Sequence, residues 1–261
     1  MFSKQTLIPL NNGNNGDYLK HNCCIKIQSC WRGYIFRIKK VLEPVNINEL
    51  GINVLQLKEC LEIDYLTQGR MEYYKSTATQ NLILEDGFME FITSKCIDGY
   101  RVGEGNCPID VVKNDKGIDV LCVCLNGTQT NEKSIMQNFS KCGNNLDNLF
   151  ETGKYHESIN IFIKEYYKKL LQAIKTKQLS KLYYCAFIST DKNVYMSTFK
   201  INIEFLLNVK YKNITKQQKS ITFKGFIDYK FGITTLFKSK KRLEIKLNKE
   251  IINCFNTIQI I

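Results

Sequence analysis

Gly103-Glu104-Gly105-Asn106-Cys107-Pro108-Ile109-Asp110-Val111-Val112 leads into Lys113-Asn114-Asp115-Lys116-Gly117, and Ile118-Asp119-Val120-Leu121-Cys122-Val123-Cys124 follows. The outer stretches have the length and composition of strands, and the polar turn between them predicts a hairpin. Two acids interrupt the apolar runs. Period-two alternation puts Asp110 and Val112 on one face of the first strand, and Asp119, Leu121 and Val123 on one face of the second. A carboxylate inside an apolar strand is costly to bury unless it is paired, hydrogen-bonded or metal-bound. Two of them on paired strands repel each other, and a hard divalent cation relieves the repulsion. Mg²⁺ held there would clamp a phosphate and lower the pKa of a bound water. The competing reading is a pair of exposed aspartates close to a turn.

Around this hairpin the pattern alternates between helix and strand. Helical spacing runs from Thr67 to about Lys95 through Tyr73, Leu82, Phe88 and Ile92, with Gly87 weakening it. Strands are predicted at Tyr100–Val102, Cys107–Val112 and Ile118–Leu125. Helices are predicted over Asn131–Lys141 and, more strongly, Ser158–Lys177. A buried strand is predicted at Leu182–Ile188. From Val194 to Ile261 strands alternate with turns, at Tyr195–Ile203, Ile221–Ile227 and Leu243–Leu247. Asn46-Ile47-Asn48-Glu49 has the form of a capping box and predicts a short helix after it. Helix, three strands, helix, strand is a mixed α/β order. No internal repeat is present.

The arrangement resembles the PD-(D/E)xK nuclease superfamily, which includes type II restriction endonucleases. Pro108-Ile109-Asp110 corresponds to the "PD" element with one insertion, and Asp119-Val120-Leu121 to the "(D/E)xK" element. The resemblance implies a restriction-endonuclease-like αβββαβ core over roughly residues 70–190, a mixed sheet, and hydrolysis of DNA phosphodiesters. By it Asp110 and Asp119 hold Mg²⁺, with a further acid, Glu85 or Glu90, from the preceding helix. The segment from Asn131 to Phe139 opens the following helix near the site. Lys238, Lys240, Lys241 and Arg242 face DNA phosphates. One position departs from the pattern: Leu121 stands where the superfamily has the lysine that orients or activates water, which leucine cannot do. Lys133 is the better substitute, because Lys116 sits on a turn expected to point away. The catalytic set implied is therefore Asp110, Asp119, Glu90 and Lys133, in an enzyme whose activity the leucine puts in doubt.

The whole chain has 261 residues, 44% of them hydrophobic and 11% aromatic, which suffices for a sizeable core and excludes global disorder. No apolar run reaches the roughly 18–20 residues of a membrane-spanning helix, and no signal peptide is expected from the first residues. Eleven cysteines, an odd number with no CxxC pair and several in apolar runs, argue for free thiols in a reducing compartment, cytoplasm or nucleus. With only His21 and His156, a His-rich metal site or a Ser-His-Asp triad has little basis. The net charge of +12 is uneven: residues 18–42 carry +6, residues 210–250 carry +9, and the remainder −3. Two basic segments flanking a near-neutral body favour anionic partners.

Residues 1–22 form a polar tail containing Asn11-Asn12-Gly13-Asn14-Asn15-Gly16. Residues 23–45 are predicted as a basic amphipathic helix ending before Pro44, and residues 46–261 as the α/β domain. Within the helix, Ile27, Gln28, Arg32, Gly33 and Arg37 fill every specified place of the IQ motif, so the segment resembles a binding site for calmodulin or a related EF-hand light chain. That resemblance implies a hydrogen bond from Gln28, close approach at Gly33, and contact of Arg32 and Arg37 with an acidic surface. A helix docked on its own core is the alternative. Two functions thus stand side by side: a DNA-binding protein of restriction-endonuclease type, and a calmodulin-binding interaction protein without enzymatic activity. A lipid-surface role for the helix is weaker, since Gln28 and Arg32-Gly33 serve no purpose there. A homodimer is one admissible assembly.

Overall fold

The structure is a computed structural model that describes residues 40–63, 84–103, 107–125, 136–138, 143–190, 193–217, 220–228, 230–237 and 242–261. Its helices are α1 (Val54–Leu61), α2 (Asp86–Cys96), α3 (Gly143–Glu151) and α4 (Tyr155–Lys177). The strands of a first, mixed sheet are β1 (Leu42–Pro44), β2 (Tyr100–Arg101), β3 (Val111–Lys113), β4 (Lys116–Cys124), β6 (Lys181–Ser189), β7 (Val194–Ile201) and β12 (Thr257–Gln259). Their order is β1-β7-β6-β4-β3-β2, and β12 shares the outer edge of β7 with β1. A second sheet is antiparallel throughout, in the order β5-β11-β10-β9-β8. It contains β5 (Met136–Asn138), β8 (Lys212–Gln217), β9 (Ser220–Lys224), β10 (Gly232–Phe237) and β11 (Arg242–Leu247).

Strands β2, β3 and β4 form an antiparallel meander whose second hairpin closes on Asn114-Asp115. Asn114 takes the left-handed conformation there, φ 52°, which asparagine tolerates better than most residues. From β4 the chain crosses through α3 and α4 and returns as β6, parallel to β4 over nine residue pairs. Parallel neighbours need such a crossover, and a helix long enough to span the sheet supplies it. The backbone amides of Ser180 and Lys181 donate to the Asp115 carbonyl, tying the start of β6 to the hairpin turn.

The core has two parts because β6 is apolar on both faces, as a central strand must be. Tyr183, Cys185 and Phe187 pack with Ile118, Val120 and Met196 beneath Leu57 of α1 and Met89 and Ile92 of α2. Tyr184, Ala186 and Ile188 face the other way, with Val112, Val123 and Phe199. There they meet Phe162, Tyr166 and Leu170 of α4 and, further out, Phe223, Leu236 and Leu243 of the second sheet. The long helix lies on this second face, and its apolar stripe recurs at helical spacing. Among the described residues, no helix is long and apolar enough to cross a membrane.

Several sequence expectations change. The strand predicted from Cys107 begins only at Val111. Pro108 has no amide hydrogen for a ladder, and Asp110 uses its side chain where a longer strand would use its backbone. Met136–Asn138, predicted as helix, is strand β5, because its backbone pairs with Arg242–Glu244. The basic helix predicted to end before Pro44 does not include Leu42–Pro44, which form β1 against Phe199–Ile201, with proline on a sheet edge where it is tolerated. Asn46 does cap a helical turn, accepting from the Asn48 amide, but the turn is a 3₁₀ one over Ile47–Glu49, and α1 begins later with Asn53 as its own cap.

Candidate functional site

The hairpin brings its two aspartates together. β3 accompanies β4 only as far as Ile118, and the chain then bends away at Asp110. The Asp110 amide still donates to the Ile118 carbonyl at 3.0 Å. The next ladder position is taken by the side chain: Asp110 Oδ2 accepts from the Val120 amide at 2.8 Å. The carboxyl thus caps the edge of β4 where its backbone partner leaves. Asp119, on β4 itself, is 7% exposed and stands opposite Tyr184 in the parallel register. Asp110 bonds the Ile118 carbonyl and the Val120 amide on either side of it, so the two aspartates are adjacent.

Two carboxylates so close repel each other when both are ionised, and burial adds to the cost of charging them. Burial pushes Asp110 above the usual carboxylate range, opposed by the bonds from Val120 and Asp119 and reinforced by the negative charges of Glu90 and Asp86 on α2. Asp86 also bonds the Cys122 thiol, whose pKa is raised by burial first and then by that carboxylate. Glu90 is held by Arg101 at 2.7 Å. Glu85, the other candidate acid, is the N-cap residue of α2 and makes no side-chain cap bond there.

Behind Asp119 lie two residues that sequence reading missed. The hydroxyls of Tyr166 on α4 and Tyr184 on β6 bond each other in the core, and the charge of Asp119 reaches Tyr166. Burial, with that charge, raises the Tyr166 pKa, so its hydroxyl stays protonated. Both tyrosines read as core residues of an apolar helix face and an apolar strand. The available signal was that a tyrosine hydroxyl inside such a run needs a partner.

Leu121 lies on the Asp119 face, half-buried and packed against the α4 side of the core. Lys116 is the first residue of β4, and its amine donates to the Glu49 carbonyl at 2.5 Å, committed away from the aspartate pair. Lys133, Lys238, Lys240 and Lys241 lie outside the described residues, as do Ile27, Gln28, Arg32, Gly33 and Arg37. Arg242 opens β11, with its backbone opposite Phe237 and Asn138.

Mg²⁺ commonly takes one or two carboxylates and completes its shell with water and phosphate oxygens. Asp110 and Asp119, when both are ionised, are a donor pair of that kind. Among the described residues, no group of three or more His, Cys, Asp or Glu side chains is placed to hold a metal ion. In comparisons with known proteins, no family model, no curated protein and no solved structure matches the chain.

Proposed function

We propose that this chain is a DNA-binding protein of restriction-endonuclease type whose hydrolytic site has degenerated. One observation carries the reading. Helix α2, the antiparallel β2–β4 meander, the α3–α4 crossover and a β6 parallel to β4, with β5 of the second sheet interposed after β4, support reading an αβββαβ core, and Asp110 and Asp119 lie side by side at the splayed edge of β4. Asp110 and Asp119 would hold Mg²⁺, which would polarise a phosphoryl oxygen and lower the pKa of a bound water. Leu121 can neither donate a hydrogen bond to that water nor take its proton, and Lys116 is engaged elsewhere. The cluster Lys238, Lys240, Lys241 and Arg242 supports the affinity for DNA, through phosphate contacts that carry no sequence information.

The test is duplex binding and plasmid cleavage measured side by side. The wild-type chain is expected to bind duplex DNA in a steeply salt-dependent way and to leave plasmid intact with Mg²⁺. Leu121→Lys is expected to gain Mg²⁺-dependent nicking that a further Asp119→Ala removes. Cleavage by the wild type, abolished by Asp119→Ala, would replace degeneracy with an active enzyme. Failure of every variant to bind duplex DNA would end the reading.

A second reading rests on the complete IQ motif from Ile27 to Arg37. The full chain would bind calmodulin or a related EF-hand protein through this segment, independently of the α/β body. Co-elution with calmodulin, with or without Ca²⁺, is expected for the wild type and lost in Ile27→Asp/Arg32→Glu. Elution unchanged by calmodulin in either condition would dispose of it.

A further inference from the structure

We infer that the groove between α3 and α4, continued by the exposed edge strand β8, is a binding surface for single-stranded nucleic acid. This surface is distinct from the Asp110–Asp119 pair, and the inference does not rest on the nuclease reading. The groove has a volume of about 430 Å³, room for a nucleotide-sized group. Lys154, Lys164, Asn148, Asn160 and Thr152 are among its polar lining, and Leu149 and Ile161 are its apolar residues. One acid, Glu157, also lines it, and its contact with Lys154 is a long 3.8 Å pair in which both side chains are exposed. Such a pair is worth little and yields readily to a phosphate.

Three contacts join β8 and its approach to the start of α4, one of them at the groove residue Asn160. Lys216 on β8 sits over the Tyr155 ring, 5.5 Å from its centre. Tyr211, which leads into β8, donates to Asn160 Oδ1 at 2.9 Å, and its ring lies 5.4 Å from that of His156. His156 is exposed, so its ring is a flat surface backed by a tyrosine. Along β8, Lys212, Asn213, Thr215, Lys216 and Gln217 are all exposed. No acid occurs between Glu204 and Asp228. β8 is also the outer strand of its sheet.

Lysines on an edge strand can serve only to discourage strand pairing between molecules. That role needs neither the exposed aromatic ring nor the amides beside it. A single strand uses all three, with ammonium groups along its phosphates, a ring on which an unpaired base stacks, and amides within reach of a base edge. A duplex hides the faces of its bases and leaves the ring without a use, which is why the single strand is the occupant.

The experiment is fluorescence anisotropy of labelled oligo-dT and oligo-U, each about 15 nucleotides long, with the full chain, and circular dichroism confirming that every variant folds. Binding is expected to weaken with salt, with a log–log slope of about −3 for four lysines on a single strand. Lys154→Glu/Lys164→Glu/Lys212→Glu/Lys216→Glu is expected to lose about tenfold or more in affinity, while arginine at the same four positions keeps it. Lys58→Glu/Lys95→Glu, on α1 and α2 across the first sheet, is expected to change it much less. His156→Ala should cost about fivefold or more without altering the salt slope. Oligo-U bound more tightly than oligo-dT would assign RNA, the reverse would assign DNA, and equality would assign a strand read through phosphate and base alone. No binding of either oligomer, an equal loss in the α1–α2 variant, or a His156→Ala variant with wild-type affinity would overturn the proposal. Equal affinity for a duplex of the same length would overturn its single-strand character. Asp119→Ala, which probes the nuclease reading, should leave this binding unchanged.

Discussion

Asp110 bonds β4 through both its backbone and its side chain. It replaces a missing ladder partner for Val120, and it stands beside Asp119 between the Ile118 carbonyl and the Val120 amide. Folding favours its neutral form, because burial raises its pKa. The resulting stabilisation is complete below the unfolded pKa of about 3.9 and is lost as pH rises through the higher folded value. Asp110→Asn stays neutral, can still accept from Val120 and can donate to Asp119. Its thermal midpoint should match the wild type near pH ~4 and exceed it at about pH 7–8, and melting curves across that window check the sign. A wild-type midpoint that rises over the same interval relative to Asp110→Asn would mean the carboxyl is paired with a cation instead. Behind this pair, Tyr166→Phe takes one partner from the buried Tyr184 hydroxyl and should cost about 1 kcal/mol. In a double-mutant cycle Tyr166→Phe/Tyr184→Phe should cost less than the sum of the single changes, by urea denaturation.

The elements fall where their patterns are long. α4 spans 23 residues and carries Ile159, Phe162, Ile163, Tyr166, Leu170 and Ala173 on its buried side, a stripe visible without coordinates. Its C-cap is a weak point: Gln178 sits in the left-handed conformation, φ 54° and ψ 45°, with its amide bonded to the Ile174 carbonyl. Glycine adopts that geometry without the Cβ penalty. Gln178→Gly should therefore stabilise the chain by about 0.5–1 kcal/mol in chemical denaturation, and a loss of stability there would contradict the cap geometry. Short elements follow different rules. Three residues at Met136–Asn138 hold too little pattern to choose between helix and strand, and β11 makes the choice by offering a free edge. β8, β10 and α3 were absent from the sequence reading for a related reason. β8 is polar and exposed at five of its six residues, so it has no apolar alternation to detect.

Across the molecule, the loop between β9 and β10 of the second sheet packs on the α4 face of the first through aromatic contacts, with Phe231 edge-on to Phe199 at 6.0 Å and Phe226 beside Tyr166. The chain reaches that packing through Gly225, at φ +125°, where an added Cβ would lie 2.4 Å from the Lys210 carbonyl oxygen. Only glycine is comfortable in that backbone region, and the clash is with backbone, which cannot move aside cheaply. Gly225→Ala should destabilise the protein by about 1–3 kcal/mol or more, read as a fall in the denaturant midpoint. It should also loosen the turn that delivers the Phe226 carbonyl to the Leu42 amide at 3.1 Å.

Amino-acid order alone determined the mixed α/β class, the β3–β4 hairpin, the α4 helix and the buried β6. It also put Asp119 and Leu121 on one face, since strict period-two alternation leaves no other choice over a strand of nine residues. Tertiary structure alone decided that the two aspartates sit side by side where β3 leaves β4, that Tyr166 and Tyr184 stand behind them, and that Lys116 is spent on Glu49. It also decided that the approach to a polar edge strand meets Asn160, a groove residue 51 positions earlier in the chain. The physical reason is range: periodicity reports which way a side chain points within its own element, whereas a partner across a sheet or a helix is chosen by packing between segments that no local pattern links.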